Sequence, residues 1–188
     1  PEWPGRSETN DRFGSSIAVS DIDADGIGDL VVGVPGEKLG DHTEAGQVQI
    51  RYNPGEWSQT PASVQTLYQN VAGVQNKVET GDRFGSHLIL EDVTGDGNVD
   101  LIVGVPGESI ATQPNAGAVA IFKSVGGAIT TAEDQLLYAN QSLFTGDSEA
   151  NAEFGAWFSV LNGNLIIGSP GRTVSGLANA GAFYYLDL

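Results

Sequence analysis

The chain has 188 residues, a net charge of −16, and neither Cys nor Met. Its acidic balance argues against nucleic acid or an anionic membrane surface as a partner, and the missing Cys excludes disulfides, thiolate metal sites and thiol nucleophiles while leaving the redox compartment open. A hydrophobic content of 40% with three Trp, five Tyr and seven Phe suffices for the core of one domain or part of a larger one, and 26 Gly point to many tight turns. Lacking Met, the chain is expected to be a processed or excised piece. No apolar run approaches membrane-spanning length.

In chain order, a pattern of blocks recurs with a period of about 70 residues. Each copy opens on Phe-Gly, at Phe13-Gly14, Phe84-Gly85 and Phe154-Gly155. A first apolar stretch follows, at 15–20, 86–91 and 156–161. A second runs Leu30-Val31-Val32-Gly33-Val34-Pro35-Gly36, with copies from Leu101 to Gly107 and from Leu165 to Gly171. A third covers 45–52, 116–122 and 180–186, and a fourth covers 64–69 and 135–139. These segments are short, rich in β-branched and aromatic residues and bounded by Gly, Pro, Asn and Asp, which predicts strands. No stretch carries a helical period.

Four strands per copy describe a small antiparallel sheet. The second strand is apolar at successive positions, as in a strand buried on both faces. Tandem sheets stacked against copies of themselves explain this, and Gly33, Gly104 and Gly168 would permit close approach between neighbours. The fold class is therefore all-β, with β-propeller-type blades of four-stranded antiparallel sheets. The fourth strand of the last copy is absent, so the chain holds about 2.7 blades against the four to eight of a closed propeller. A partial propeller, completion by another chain, or an unusually small closure would account for this. We read residues 1–188 as one region, with repeat 1 at about 11–80, repeat 2 at about 81–150 and repeat 3, incomplete, at about 151–188.

Between the first two strands of repeat 1 lies Asp21-Ile22-Asp23-Ala24-Asp25-Gly26-Ile27-Gly28-Asp29. Crowded carboxylates repel unless a cation sits among them, and Ca²⁺ accepts six to eight hard oxygen ligands in a flexible cage. The spacing turns Asp21, Asp23 and Asp25 inward, Gly26 permits the sharp turn, the Ile27 carbonyl is a further ligand, and Asp29 closes the cage. The stretch recurs from Asp92 to Asp100, with Thr94 in place of the second carboxylate, so that site is expected to bind more weakly. An EF-hand is rejected, because the position of its final Glu is Val32 or Val103, inside a strand. Repeat 3 replaces the loop by Leu161-Asn162-Gly163-Asn164, and Asn-Gly favours a two-residue type I′ hairpin.

Together, Phe-Gly, Asp-x-Asp-x-Asp-Gly-x-x-Asp and Gly-x-Pro-Gly resemble the FG-GAP repeat of the integrin alpha-subunit β-propeller and its relatives. The wording around Asp11-Arg12-Phe13-Gly14 and Gly33-Val34-Pro35-Gly36-Glu37 is closest in style to secreted bacterial FG-GAP proteins. The resemblance implies two Ca²⁺ sites. One comprises Asp21, Asp23, Asp25, the Ile27 carbonyl and Asp29; the other comprises Asp92, Thr94, Asp96, the Asn98 carbonyl and Asp100. It also implies a secreted or cell-surface location, with calcium as a structural ion in a module for adhesion or protein–protein binding. Its partner would be a protein or glycan ligand, or further blades. The period here exceeds that of the integrin repeat, so ligand specificity does not carry over.

Two other classes fit the same features. One is a non-catalytic propeller part of a secreted enzyme acting on polysaccharide or lipid; the other is a self-assembling surface subunit. Catalysis by this chain itself is not expected. His42 and His87 occupy different repeat positions, and Glu37 and Glu108 recur with the repeat, which favours structure over a unique active centre. Trp3, Tyr68, Tyr138 and Trp157 are expected to pack within blades, while Trp57, in a polar connection, hints at a contact surface. Asn140-Gln141-Ser142 fits a glycosylation sequon.

Overall fold

A computed structural model describes residue 3 and residues 7–52, 64–144 and 146–187. Among the described residues eleven strands form three antiparallel sheets, in the positions the repeat predicts. Sheet 1 has the order β1 (Ser16–Ser20), β2 (Asp29–Val34), β3 (Gln47–Arg51) and β4 (Val64–Leu67). Sheet 2 repeats it with β5 (Leu88–Glu91), β6 (Asp100–Val105), β7 (Ala118–Phe122) and β8 (Gln135–Leu137). Sheet 3 has three strands, β9 (Trp157–Leu161), β10 (Asn164–Ser169) and β11 (Ala182–Leu186). The sheets are consistent with propeller blades but do not close into a full propeller. Among the described residues no helix is long and apolar enough to cross a membrane.

Side-chain alternation in the middle sheet builds two cores at once. Leu101, Val103 and Val105 of β6, with Ala118, Ala120 and Phe122 of β7, face sheet 1 and join Val31, Val48 and Ile50. The intervening Ile102, Val119 and Ile121 face sheet 3 and join Phe158, Leu165 and Ile167. All six residues of β6 are buried, which is why its sequence is apolar without a period of two. The third copy departs from this expectation. In β10 buried and half-buried residues alternate, because the described residues cover only one face of sheet 3. Its other face leaves Trp157, Phe183 and Tyr185 exposed, and at the opposite end sheet 1 exposes Ile17 and Val19.

The sheets meet through backbone. A Cβ added to Gly33 would lie 2.1 Å from the Gly85 carbonyl oxygen, and one on Gly104 would lie 2.5 Å from that of Gly155. Close approach is thus confirmed at these two positions. At Gly168 the nearest atom is the Trp157 oxygen of the same sheet, at 3.3 Å, since among the described residues no further sheet abuts it. Beside these contacts the Phe-Gly segment of one sheet binds the preceding one, with Phe84 N–H donating to Ala45 O and Phe154 N–H to Ala116 O, both at 2.9 Å. Phe84 and Phe154 are completely buried, whereas Phe13, with no preceding sheet among the described residues, is half exposed.

In the third repeat Asn162 and Gly163 have φ of 53° and 78°, the left-handed pair that a type I′ turn demands. Replacing Asn162 by Ala puts a side chain with no local hydrogen-bonding capacity in that region. The expected cost is about 1 kcal/mol, read as a lower urea midpoint with an unchanged slope.

Candidate metal centres

Each Asp loop connects two antiparallel strands, β1 to β2 and β5 to β6, whose pairing ends at Ser20↔Asp29 and Glu91↔Asp100. The final Asp of each loop is therefore the first residue of a central strand and is fully buried. Asp29 Oδ2 accepts the Ile22 N–H at 2.9 Å, and Asp100 Oδ2 accepts the amides of Val93 and Thr94 at 3.1 and 3.0 Å. These bonds clamp the base of each loop. The leading Asp organises the tip: Asp21 accepts the amides of Asp25 and Gly26, and Asp92 those of Gly95 and Gly97. Gly26 and Gly97 have φ of 89° and 86°, so the sixth position needs glycine, as the spacing predicted.

The first loop brings Asp21, Asp23 and Asp25 together, with one carboxylate oxygen from each lying within 4.8 Å of the others. An all-oxygen donor set of this kind fits a hard cation such as Ca²⁺. In the second loop Thr94 stands where Asp23 stands in the first, so three carboxylates do not converge. Asp100 Oδ1 is buried there without a hydrogen-bond donor, an acceptor that a cation would satisfy. Burial raises the Asp100 carboxyl above its ordinary range, opposed by hydrogen bonds from Thr94 and Val93. At the loop tip, the backbone and side chain of Asn98 hold Asp96 below that range. The first loop also touches the neighbouring sheet, because a Cβ on Gly127 would lie 3.2 Å from Asp23 Cβ.

A second cluster able to coordinate a metal lies outside the loops. Carboxylate oxygens of Glu79, Asp82 and Glu108 lie within 4.8 Å of one another, and Asp82 and Glu108 are buried. Burial, with Glu108 alongside, pushes Asp82 up to about 8, and burial pushes Glu108 up to about 7. Repeat position alone marks Glu108 as structural. What single positions cannot reveal is that Glu-Thr-x-Asp-Arg-Phe-Gly, present at 8–14 and 79–85, folds its two acids back onto the Glu that follows Pro-Gly. The shared heptapeptide was the available signal.

The remaining candidates separate. His87 sits in the seam between sheets 2 and 3, its Nε2 3.0 Å from Phe158 O, with its ring against Trp157 and Phe158, and burial lowers its pKa. His42 is exposed at the far end of sheet 1, beside a cavity of about 670 Å³ that Tyr68 also lines. Trp3 packs edge-on against Phe13, and Tyr138 is half-buried against the first core. Trp157 departs from the blade-packing expectation, being 67% exposed on the uncovered face of sheet 3. Trp57 lies outside the described residues.

Comparison with known proteins places these features. The family profile described as FG-GAP repeat matches residues 13–50 and 84–122, the first three strands of sheets 1 and 2 with their Asp loops. Phosphatidylinositol-glycan-specific phospholipase D of Dictyostelium discoideum is 31% identical over 174 residues, 87% of this chain and 17% of that protein. Integrin alpha-X of Mus musculus is 40% identical over 127 residues, 64% of this chain and 10% of that protein. The Homo sapiens phospholipase of the same name is 30% identical over 167 residues, 85% of this chain and 19% of that protein. The chain thus spans less than a fifth of the length of these relatives. It carries an FG-GAP repeat domain, a non-catalytic module, and is homologous to integrin alpha-like proteins. Nothing in these similarities singles out a bacterial form.

Proposed function

We propose that the chain is an extracellular calcium-binding FG-GAP module of a secreted or surface-displayed protein, and that it mediates adhesion or protein binding. Calcium is its structural ion, held by Asp21, Asp23, Asp25, the Ile27 carbonyl and Asp29, and more weakly by Asp92, Thr94, Asp96, the Asn98 carbonyl and Asp100. The observation that carries this reading is the convergence of three carboxylates at the β1–β2 hairpin, in a chain 40% identical to part of an integrin alpha subunit. When bound, the ion neutralises the loop carboxylates and adds its coordination bonds to the amide clamp at Asp29. The hairpin is then fixed against the Gly127 turn of the next sheet. The ion's contribution is therefore to hold one blade's loop in register with its neighbour.

Native mass spectrometry in calcium tests the ligand sets: Asp25→Ala and Asp96→Ala should each remove one bound ion. An unchanged ion count in both would overturn the loop assignment. For adhesion, the immobilised chain should capture a member of a panel of extracellular-matrix proteins and glycans in calcium and release it in chelator. Capture indifferent to chelator would detach the binding role from the metal.

A second reading rests on the two phospholipases, which match most of this chain over a small part of their own length. Here the module is the non-catalytic propeller portion of a secreted enzyme acting on a lipid or polysaccharide. Vesicles bearing glycosylated phosphatidylinositol, but not plain phosphatidylcholine vesicles, would then retain the chain.

A further inference from the structure

The acidic cluster of repeat 2 lies where the chain passes from sheet 1 into sheet 2. Asp82 is fully buried, and its Oδ2 accepts the Glu79 N–H at 2.5 Å. Its Oδ1 is buried with no donor. Glu108, also buried, accepts from the side-chain amides of Gln69 and Asn76. Gln69 turns its N–H toward Glu108, and its own Oε1 is a further buried oxygen without a donor. Every unsatisfied atom here is an acceptor. The group therefore lacks positive charge or protons rather than further oxygens.

Repeat 3 shows what the same position does with a cation of its own. Aligned on Phe-Gly and Pro-Gly, Glu79 corresponds to Glu149, Asp82 to Ala152 and Glu108 to Arg172. The buried Asp is gone, and Arg172 Nη1 lies 3.5 Å from Glu149 Oε2, with a further hydrogen bond to the Asp147 carbonyl. Where repeat 2 gathers three carboxylates, repeat 3 pairs one carboxylate with a guanidinium. Repeat 1 keeps the acidic form as Glu8, Asp11 and Glu37, and there too the Asp Oδ1 is buried without a donor.

We infer that Glu79, Asp82 and Glu108 form a binding site for a divalent cation, separate from the Asp loops, and that Arg172 takes that cation's place in repeat 3. The donors are all oxygens, and Glu79 is exposed, giving the ion a solvent-facing entry. Hard cations of the Ca²⁺ class suit such a set, with water completing the shell on the Glu79 side. The ion joins the segment leading into Phe84 to the turn after β6, fixing the blade entry rather than a hairpin.

The test uses Asp82→Asn, which keeps shape and removes charge, with ion counting by native mass spectrometry and thermal unfolding in millimolar calcium and in chelator. One bound ion fewer than the parent is expected. Melting should fall by about 5 °C in calcium and rise in chelator, where the substitution relieves repulsion. An unchanged ion count with higher melting in both conditions would overturn the site, since that is the signature of carboxyls sharing a proton. The double variant Asp82→Ala, Glu108→Arg imports the repeat 3 pair. It should fold and also lose one ion; retention of the parental count would equally overturn the site. Loss of ions in Asp25→Ala and Asp96→Ala reports on the loops alone, so the two assignments fail independently.

Discussion

Asp25→Ala should lower the melting temperature by about 5–10 °C in millimolar calcium and leave it nearly unchanged in chelator. An ion present at a hundred times its dissociation constant stabilises the state that binds it by about 2.7 kcal/mol, and a chain of this size loses about 2–4 °C per kcal/mol. Asp25 is the right residue to change because it is exposed and its carboxylate accepts the Ile27 amide, at 2.7 Å, while its bonds to Asp21 and Asp23 come from its backbone N–H and survive the substitution. Removing it subtracts a ligand and little else. Asp29→Ala should destabilise the protein in chelator as well, because that buried carboxylate accepts the Ile22 amide whether or not an ion is bound. Differential scanning calorimetry of both variants, with and without chelator, separates ligand from clamp. Equal losses for Asp25→Ala in the two conditions would remove calcium from the stability of this hairpin.

Gly33→Ala should cost about 3 kcal/mol, with unfolding at correspondingly lower urea, whatever the calcium concentration. The new methyl would meet the Gly85 carbonyl oxygen and Ser16 Oγ, each at 2.1 Å, and these two atoms already hydrogen-bond to each other at 2.6 Å. Rotating a side chain does not make room, because one obstacle is backbone, so the sheets must separate. Gly168→Ala is the matched control. It has the same place in its strand but, among the described residues, no sheet packed on it, and its nearest contact is at 3.3 Å. Its effect should stay within about 0.5 kcal/mol. Comparable losses at both sites would mean that glycine serves the strand rather than the seam.

Much of this architecture was legible because the repeat shows each element more than once. Two Asp loops on the same hairpin, and a third hairpin reduced to Asn162-Gly163, identify what the loop connects. The glycines of the central strands announced close approach for the same reason. Exposure was less legible. Ile166 resembles its buried counterparts Val31 and Ile102, but burial there depends on whether another sheet packs on that face, which no local pattern encodes. The acidic cluster was harder still. Glu79 and Glu108 are brought together by the path from β4 to β6, and the burial of Asp82 follows from that path, not from its neighbours in sequence.

The seams described above join one chain segment's carbonyls to another's glycines, with side chains filling in on either side. An interface written in backbone places few demands on side-chain identity. A gene segment encoding one such unit can therefore be copied, lost or moved along a coding sequence, and its product will still dock on whatever unit precedes it. Once docked, each copy is free to diverge in its own loops, as the third has done by giving up its Asp loop and exchanging a glutamate for Arg172. Lineages built this way should differ in unit number and loop chemistry long before they differ in how the units meet.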